Sequence, residues 1–158
     1  MYKILVVDDE SIEREGISFL IEKYKFPLEV AQATNGKTAL EYMRTHPIDI
    51  LLTDVKMPQM DGLELARHTF EKYPDVRILV FSAYGEFEFA KKAMAAQAVS
   101  YLLKPIEVDE FQRVMAQILA RCDELAEKKK DEQQRGEEYR QQLLFRLVTG
   151  TSLGKAHI

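Results

Sequence analysis

The 158-residue chain has one cysteine, Cys122. No internal disulfide can form, which fits a reducing cytoplasm. No apolar run approaches the ~20 residues that a membrane-spanning helix needs. The amino terminus, Met1-Tyr2-Lys3-Ile4-Leu5-Val6-Val7-Asp8-Asp9, reaches carboxylates too early to hold the apolar core of a signal peptide. A basic excess is missing too: the net charge of −4 leaves no electrostatic footprint for nucleic acid. Through Cys122 the chain carries 15 Lys and Arg against 19 Asp and Glu, and the remainder has seven of each, so the negative excess belongs to the front. The three histidines, His46, His68 and His157, share no ligand spacing, so no zinc site is expected. What is present is the composition of a soluble globular protein, 46% hydrophobic and 30% charged, long enough for one domain and an appendage.

Two kinds of apolar segment alternate along the chain. Ile4-Leu5-Val6-Val7 is a short continuous run, as in a strand buried on both faces. Ser11 is placed to cap a helix to about Tyr24, with Ile12, Gly16, Phe19, Leu20 and Tyr24 inward. Leu28 to Ala33 alternates with polar residues, as an edge strand does. Asn35-Gly36 is a turn into a short helix from Lys37 to about Arg44. Ile48 to Thr53 and Val76 to Phe81 read as strands, with a helix from Gly62 to Tyr73 between them stopped by Pro74. A fourth helix is expected over Glu86 to Ala96, a fifth strand over Val99 to Leu103, and a long helix from Val108. This (βα)5 alternation calls for an α/β fold with a doubly wound parallel sheet. Ligands of such sheets bind beyond the carboxyl ends of the strands.

The residues at those ends form a chemical set. Asp8, Asp9 and Glu10 follow the first strand, Asp54 the third, Ser82 the fourth, and Lys104-Pro105 the fifth. Carboxylates converging on one spot raise each other's pKa, and a divalent cation removes the conflict. Mg2+ suits an all-oxygen shell with few carboxylates, waters and a phosphate oxygen. A carboxylate beside such a metal can attack phosphorus to give an aspartyl phosphate. Lys104 and Ser82 would supply the fixed cation and the hydroxyl donor that the transferred group needs. Glu10 alone reads as a solvated helix start, and Asp61-Gly62 as a turn into the third helix.

The strings Val6-Val7-Asp8-Asp9-Glu10, Thr53-Asp54-Val55-Lys56-Met57-Pro58, Met60-Asp61-Gly62, Phe81-Ser82-Ala83 and Tyr101-Leu102-Leu103-Lys104-Pro105 resemble the receiver domains of two-component response regulators. The match runs from Met1 to about Cys122 with the motifs in order. It implies a flavodoxin-like sheet of order 2-1-3-4-5 with a C-terminal helical extension. Asp54 becomes the phospho-acceptor, and Asp8, Asp9, Asp54 and the backbone carbonyl of Lys56 the ligands of Mg2+. Ser82 and Lys104 would hold the phosphoryl group, Tyr101 would change rotamer as Ser82 moves, and the peptide before Pro105 would be cis. A sensor histidine kinase is the implied donor. The signalling face would be that of the fourth helix, fifth strand and fifth helix. The chain would be a switch that assists its own phosphorylation and dephosphorylation, not a conventional enzyme.

Two departures bear on that face. Gln97 stands where the family usually has a helix-closing Gly, and Ser100 where Asp is frequent, so Gln97 must take positive φ or the helix must end differently. Lys56 and Tyr84, two places after Asp54 and Ser82, are large at positions that tune phosphoryl lifetime in the family, which favours slower self-hydrolysis. A hydrolase with an aspartyl nucleophile usually places a second acid where Lys56 stands, and a phosphorylation-independent module would not need the full residue set.

Beyond the receiver (residues 1–122), residues 123–150 read as a helical linker and 151–158 as a tail. Phe111, Val114, Met115, Ile118, Cys122 and Leu125 keep helical spacing. Glu127 to Glu138 is almost wholly polar, and Tyr139, Leu143, Leu144, Leu147 and Val148 resume an apolar face. Two readings stay open: a docked helix running into a solvated linker, or a longer helix that pairs with a second copy. Self-association could thus use either the signalling face or this helix. Ser82 to Ala90 and Leu143 to Gly150 are similar to regulators with an AraC-type helix-turn-helix domain further on. No such domain is in this sequence, and no contact with nucleic acid or membrane is expected of it.

Overall fold

The computed structural model describes residues 1–95, 97 and 99–150. The elements in order are β1 (Tyr2–Val7), α1 (Ser11–Lys23), β2 (Leu28–Ala33), α2 (Gly36–Thr45), β3 (Ile50–Asp54), α3 (Gly62–Lys72), β4 (Arg77–Ser82), α4 (Tyr84–Ala93), β5 (Val99–Leu103) and α5 (Val108–Thr149). The strands form one parallel sheet in the order β2-β1-β3-β4-β5, the flavodoxin-like order expected. β2 lies at an edge, which accounts for its polar alternation. The three inner strands are continuous apolar runs because helices cover both faces.

Strand alternation sorts that core into two layers. Leu5, Val7 and Leu51 pack with Ala39 and Met43 of α2 and Leu65 of α3. Ile78 and Val80 continue the same layer with Leu63, Ala66, Ala90 and Met94. The alternate residues Ile4, Val6, Ile50, Leu52, Leu79 and Phe81 are equally buried and face the other way. That leaves them to α1, which buries Ile17 and Ile21, and to the first turns of α5, which bury Phe111 and Met115. Phe26, just after α1, meets Phe111 edge to face at 5.9 Å.

Several boundaries differ from the sequence expectation for local reasons. Helix α1 is capped by Glu10, without a side-chain cap bond, and Ser11 is its first helical residue. Its inward stripe is Ile17 and Ile21; Ile12 is 73% and Phe19 60% exposed. Phe19 instead lies beside Lys23, whose ammonium stands 5.7 Å from its ring centroid. β3 starts at Ile50; just before it, Asp49 accepts the Lys3 N–H on its carboxylate at 2.9 Å, and its backbone bonds Lys3 of β1 and Arg77 of β4. Helix α4 spans Tyr84–Ala93, earlier than expected, and Met94 closes it with its N–H on the Ala90 carbonyl. The Gln97 N–H bonds the Met94 carbonyl at 3.0 Å, and its own carbonyl receives the Val99 N–H at 2.9 Å. The predicted end of that helix at Ala96, the tail 151–158 with His157, and the Tyr84 side chain lie outside what is described.

The chain divides into two compact units, Met1–Leu119 and the residues from Ala120 on. The second is the remainder of α5, with Tyr139, Leu143, Leu144, Phe145, Leu147 and Val148 exposed. No helix among the described residues is long and apolar enough to cross a membrane.

Candidate functional site at the strand ends

Parallel pairing brings the carboxyl ends of β1, β3 and β4 to one edge of the sheet. Asp8 leaves β1 almost fully enclosed, at 1% exposure, and Asp54 ends β3 at 8%. Asp9 is exposed. One carboxylate oxygen from each of Asp8, Asp9 and Asp54 lies within 4.8 Å of the others. The Lys104 ammonium stands 3.3 Å from Asp54 Oδ1 and 3.6 Å from Asp8 Oδ2. It also lies over the Phe81 ring, 4.3 Å from the centroid. Ser82 ends β4, buried, and its carbonyl accepts the Lys104 backbone N–H at 2.8 Å. The Lys104–Pro105 peptide is cis. An open cleft of about 580 Å³ over these groups is lined by Asp9, Glu10, Asp54, Lys56, Ala83, Glu86 and Lys104 among others. The Lys56 side chain is exposed and reaches Glu86 at 4.0 Å.

The electrostatics are those of a crowded acidic pocket. Burial pushes the Asp8 carboxyl up to about 6; the Glu10 N–H opposes this, Asp54 adds to it, and Lys104 pulls the other way. Asp8 Oδ1 accepts that N–H at 2.9 Å, whereas buried Oδ2 has no hydrogen-bond partner. Burial also raises Asp54, against the opposing pull of Lys104 and of the Val55 and Lys56 N–H groups. An orphaned buried carboxylate oxygen and two neighbouring carboxylates form an all-oxygen donor set suited to a hard divalent cation.

Comparison with known proteins then decides the family. Residues 4–116 match the family model described as "Response regulator receiver domain". The chain belongs to the response regulator receiver domain family. This receiver domain is 40% identical over 121 residues to the uncharacterized transcriptional regulatory protein YesN of Bacillus subtilis, covering 76% of this chain and 33% of that protein. It is 33% identical to the response regulator GacA of Pseudomonas aeruginosa, over 76% of this chain and 56% of that protein. The chain therefore spans only about a third to just over half of these relatives. Among solved structures, the receiver domain of AraT, a response regulator from Geobacillus stearothermophilus, superposes with a TM-score of 0.70 at 38% identity, covering 81% of this chain and 98% of that one. A two component transcriptional regulator AraC from Clostridium phytofermentans gives 0.71 at 33% identity, covering 78% and 97%.

Three residues of the receiver domain's site carried no functional expectation from sequence. Arg14, on α1, donates to the Asp8 carbonyl at 2.7 Å and to Gln32 of β2 at 3.1 Å, tying the acidic loop to the sheet edge. Gly62 opens α3 so close to β3 that a Cβ there would lie 1.8 Å from the Asp54 carbonyl oxygen. Its N–H donates to the Val55 carbonyl at 2.8 Å, and Asp61 caps α3 through the Glu64 N–H. Asp61-Gly62 is thus more than a turn; it presses the start of α3 against the acceptor strand. Phe81 is the third. Nothing in the local sequence marks Arg14 or Phe81, whose partners are long-range.

Tyr101 lies two strands from Asp54, on β5. Its ring packs with the Ile78–Val80 layer and meets Phe87 edge to face at 6.4 Å. Its hydroxyl is enclosed without a hydrogen-bond partner, and burial raises its pKa.

Proposed function

We propose that this receiver domain is the phosphorylation-controlled switch of a longer transcription regulator, with Asp54 as phospho-acceptor. The observation that supports it most is the Lys104 ammonium held between Asp54 and Asp8 at the mouth of a three-carboxylate cleft. An ionised Asp54 oxygen attacks the phosphorus of a phosphohistidine on a sensor histidine kinase. The new O–P bond forms as the P–N bond breaks, leaving its electron pair on the imidazole nitrogen. Burial disfavours the ionised acceptor; Lys104 and the backbone donors of Val55 and Lys56 hold part of it in that form. Asp8, Asp9, Asp54 and the Lys56 carbonyl would hold Mg2+, which when bound offsets the negative charge of the carboxylates and the phosphoryl group. Lys104 keeps its place beside the transferred group, and the Ser82 hydroxyl donates to a phosphoryl oxygen.

Phosphorylation adds about −1.5 to −2 charges to this pocket. Ser82 moving toward them draws the β4–α4 loop, and the Tyr101 hydroxyl, unpartnered where it lies, gains a reason to change rotamer. The face of α4, β5 and α5 then favours a different partner, through differential affinity for the two states. That partner is an AraC-type DNA-binding output domain, or a second copy through the same face or the distal part of α5. The setting is cytoplasmic. Large side chains at Lys56 and Tyr84 are expected to lengthen phosphoryl lifetime.

Intact-mass spectrometry after incubation with Mg2+ and phosphoramidate tests this. The native chain should gain one phosphoryl group, and Asp54→Asn or removal of Mg2+ should abolish the gain. No adduct with any donor, together with no binding of beryllofluoride, would leave a phosphorylation-independent module.

A further inference from the structure

A lysine ammonium has three N–H donors to place, and Asp8 and Asp54 account for two directions. A third side of the Lys104 nitrogen is met by Phe81, with the ring centroid at 4.3 Å. The sheet dictates this meeting. The β3–β4 register sets Phe81 beside Asp54, and the β4–β5 register sets Leu102 beside Phe81. Residues two apart on a strand share a face, so Lys104 emerges on the side of Leu102 and Phe81. The bond from its backbone N–H to the Ser82 carbonyl fixes where the side chain starts. Phe81 is fully buried among the β4 core residues, so its ring is held in place. A cation over an aromatic face is attracted by the ring quadrupole, more strongly as the site loses water. Leu or Met would fill the same space and offer no such attraction.

We infer that Phe81 is a positioning residue for phosphoryl transfer: its ring seats the Lys104 ammonium between Asp8 and Asp54 before any phosphoryl group arrives. The inference rests on the role proposed above for Lys104. A flexible four-carbon side chain with a strongly hydrated head would otherwise sample solvent and have to be ordered at each transfer. The ring removes that cost without adding a competing hydrogen-bond acceptor to the pocket.

Two measurements test it. In the full chain without donor or metal, the ε-methylene protons of Lys104 should resonate upfield of those of other lysines, through the ring current of Phe81. Phe81→Leu should return them to the ordinary position. Site-specific replacement of Phe81 by mono-, di- and trifluorophenylalanine then withdraws charge from the ring face with little change of shape. Calorimetric affinity for beryllofluoride in Mg2+ should fall stepwise along the series, by roughly twofold to thirtyfold in all, and be flat in a Lys104→Ala background. Ordinary ε-methylene shifts, a flat series in the native background, or the same slope in both backgrounds would overturn the inference, since a purely space-filling ring predicts those results. If the native chain neither binds beryllofluoride nor gains a phosphoryl group, the switch reading fails, and the proton shifts still decide whether the ring seats the ammonium.

Discussion

At the scale of single residues, Asp8 is a carboxylate whose burial is useful only when something positive shares its site. Its folded value of about 6 lies above the ordinary 3.8, so the metal-free folded state holds the proton more tightly than the unfolded chain. The stability this confers is complete below about pH 4 and is lost as the pH rises through about 6, up to roughly 3 kcal/mol. Asp54 acts in the same direction. Asp8→Asn should therefore raise the unfolding free energy of the metal-free chain at about pH 7 by roughly 1–3 kcal/mol. It should also flatten the decline of stability between about pH 4 and 7 and abolish stabilisation by Mg2+. Urea unfolding near pH 5 and near pH 7, with and without Mg2+, reads all three, and a variant less stable than the native chain at pH 7 without metal would contradict the account. Gly62 makes the opposite case. A methyl group 1.8 Å from the Asp54 carbonyl oxygen meets backbone, not a side chain that can swing away. Gly62→Ala should cost about 3 kcal/mol or more and slow phosphorylation by displacing the acceptor loop. Thermal unfolding within a few degrees of the native chain would show that α3 can back away.

At the scale of elements, the ends of helices carry the clearest local chemistry. Helix α1 closes with the N–H of Phe26 on the Ile21 carbonyl and that of Lys25 on the Glu22 carbonyl, both at 3.1 Å. This is a Schellman end, and Lys25 takes its left-handed position at φ 55° where Gly is preferred. Lys25→Gly should stabilise the chain by roughly 0.5–1 kcal/mol, measured by urea unfolding; no change would mean that the unfolded-state entropy of Gly cancels the strain. The same helix shows where sequence pattern stops being informative. Ile12-Gly16-Phe19 and Ile17-Ile21 are overlapping apolar series at helical spacing, and only docking on the sheet selects the second. The continuous runs of β1, β3 and β4 had no such ambiguity, since strands buried on both faces offer one reading. The strand-end residues Asp8, Asp54, Ser82 and Lys104 were readable because alternation of elements fixes which residues follow strands. Arg14 and Phe81 were not: Arg14 reaches Asp8 and Gln32 only once α1 docks beside the sheet, and Phe81 meets Lys104, 23 positions on, only through the sheet register.

At the scale of the whole chain, stability is unevenly distributed. The first unit buries three continuous strands and the faces of its helices. The second is α5 from Ala120 on, polar from Glu127 to Glu138 and then exposing six large apolar side chains between Tyr139 and Val148. A helix without tertiary packing gains little per residue beyond its own hydrogen bonds and opens readily. In dilute solution the amides of residues 127–149 should therefore exchange orders of magnitude faster than those of β1, β3 and β4, which open only with the whole domain. An exposed apolar stretch of this size is also a surface that favours association. If it pairs with a second copy, protection over 139–149 should rise with protein concentration while that of the strands stays fixed, because mass action stabilises only the element that is bound. Hydrogen exchange at two concentrations, with and without beryllofluoride and Mg2+, separates the surfaces. Protection gained at 139–149 with concentration alone assigns pairing to the helix, and protection gained at α4 and β5 only with beryllofluoride assigns it to the switch face. Slow, concentration-independent exchange throughout 127–149 would defeat the premise that this segment lacks tertiary support.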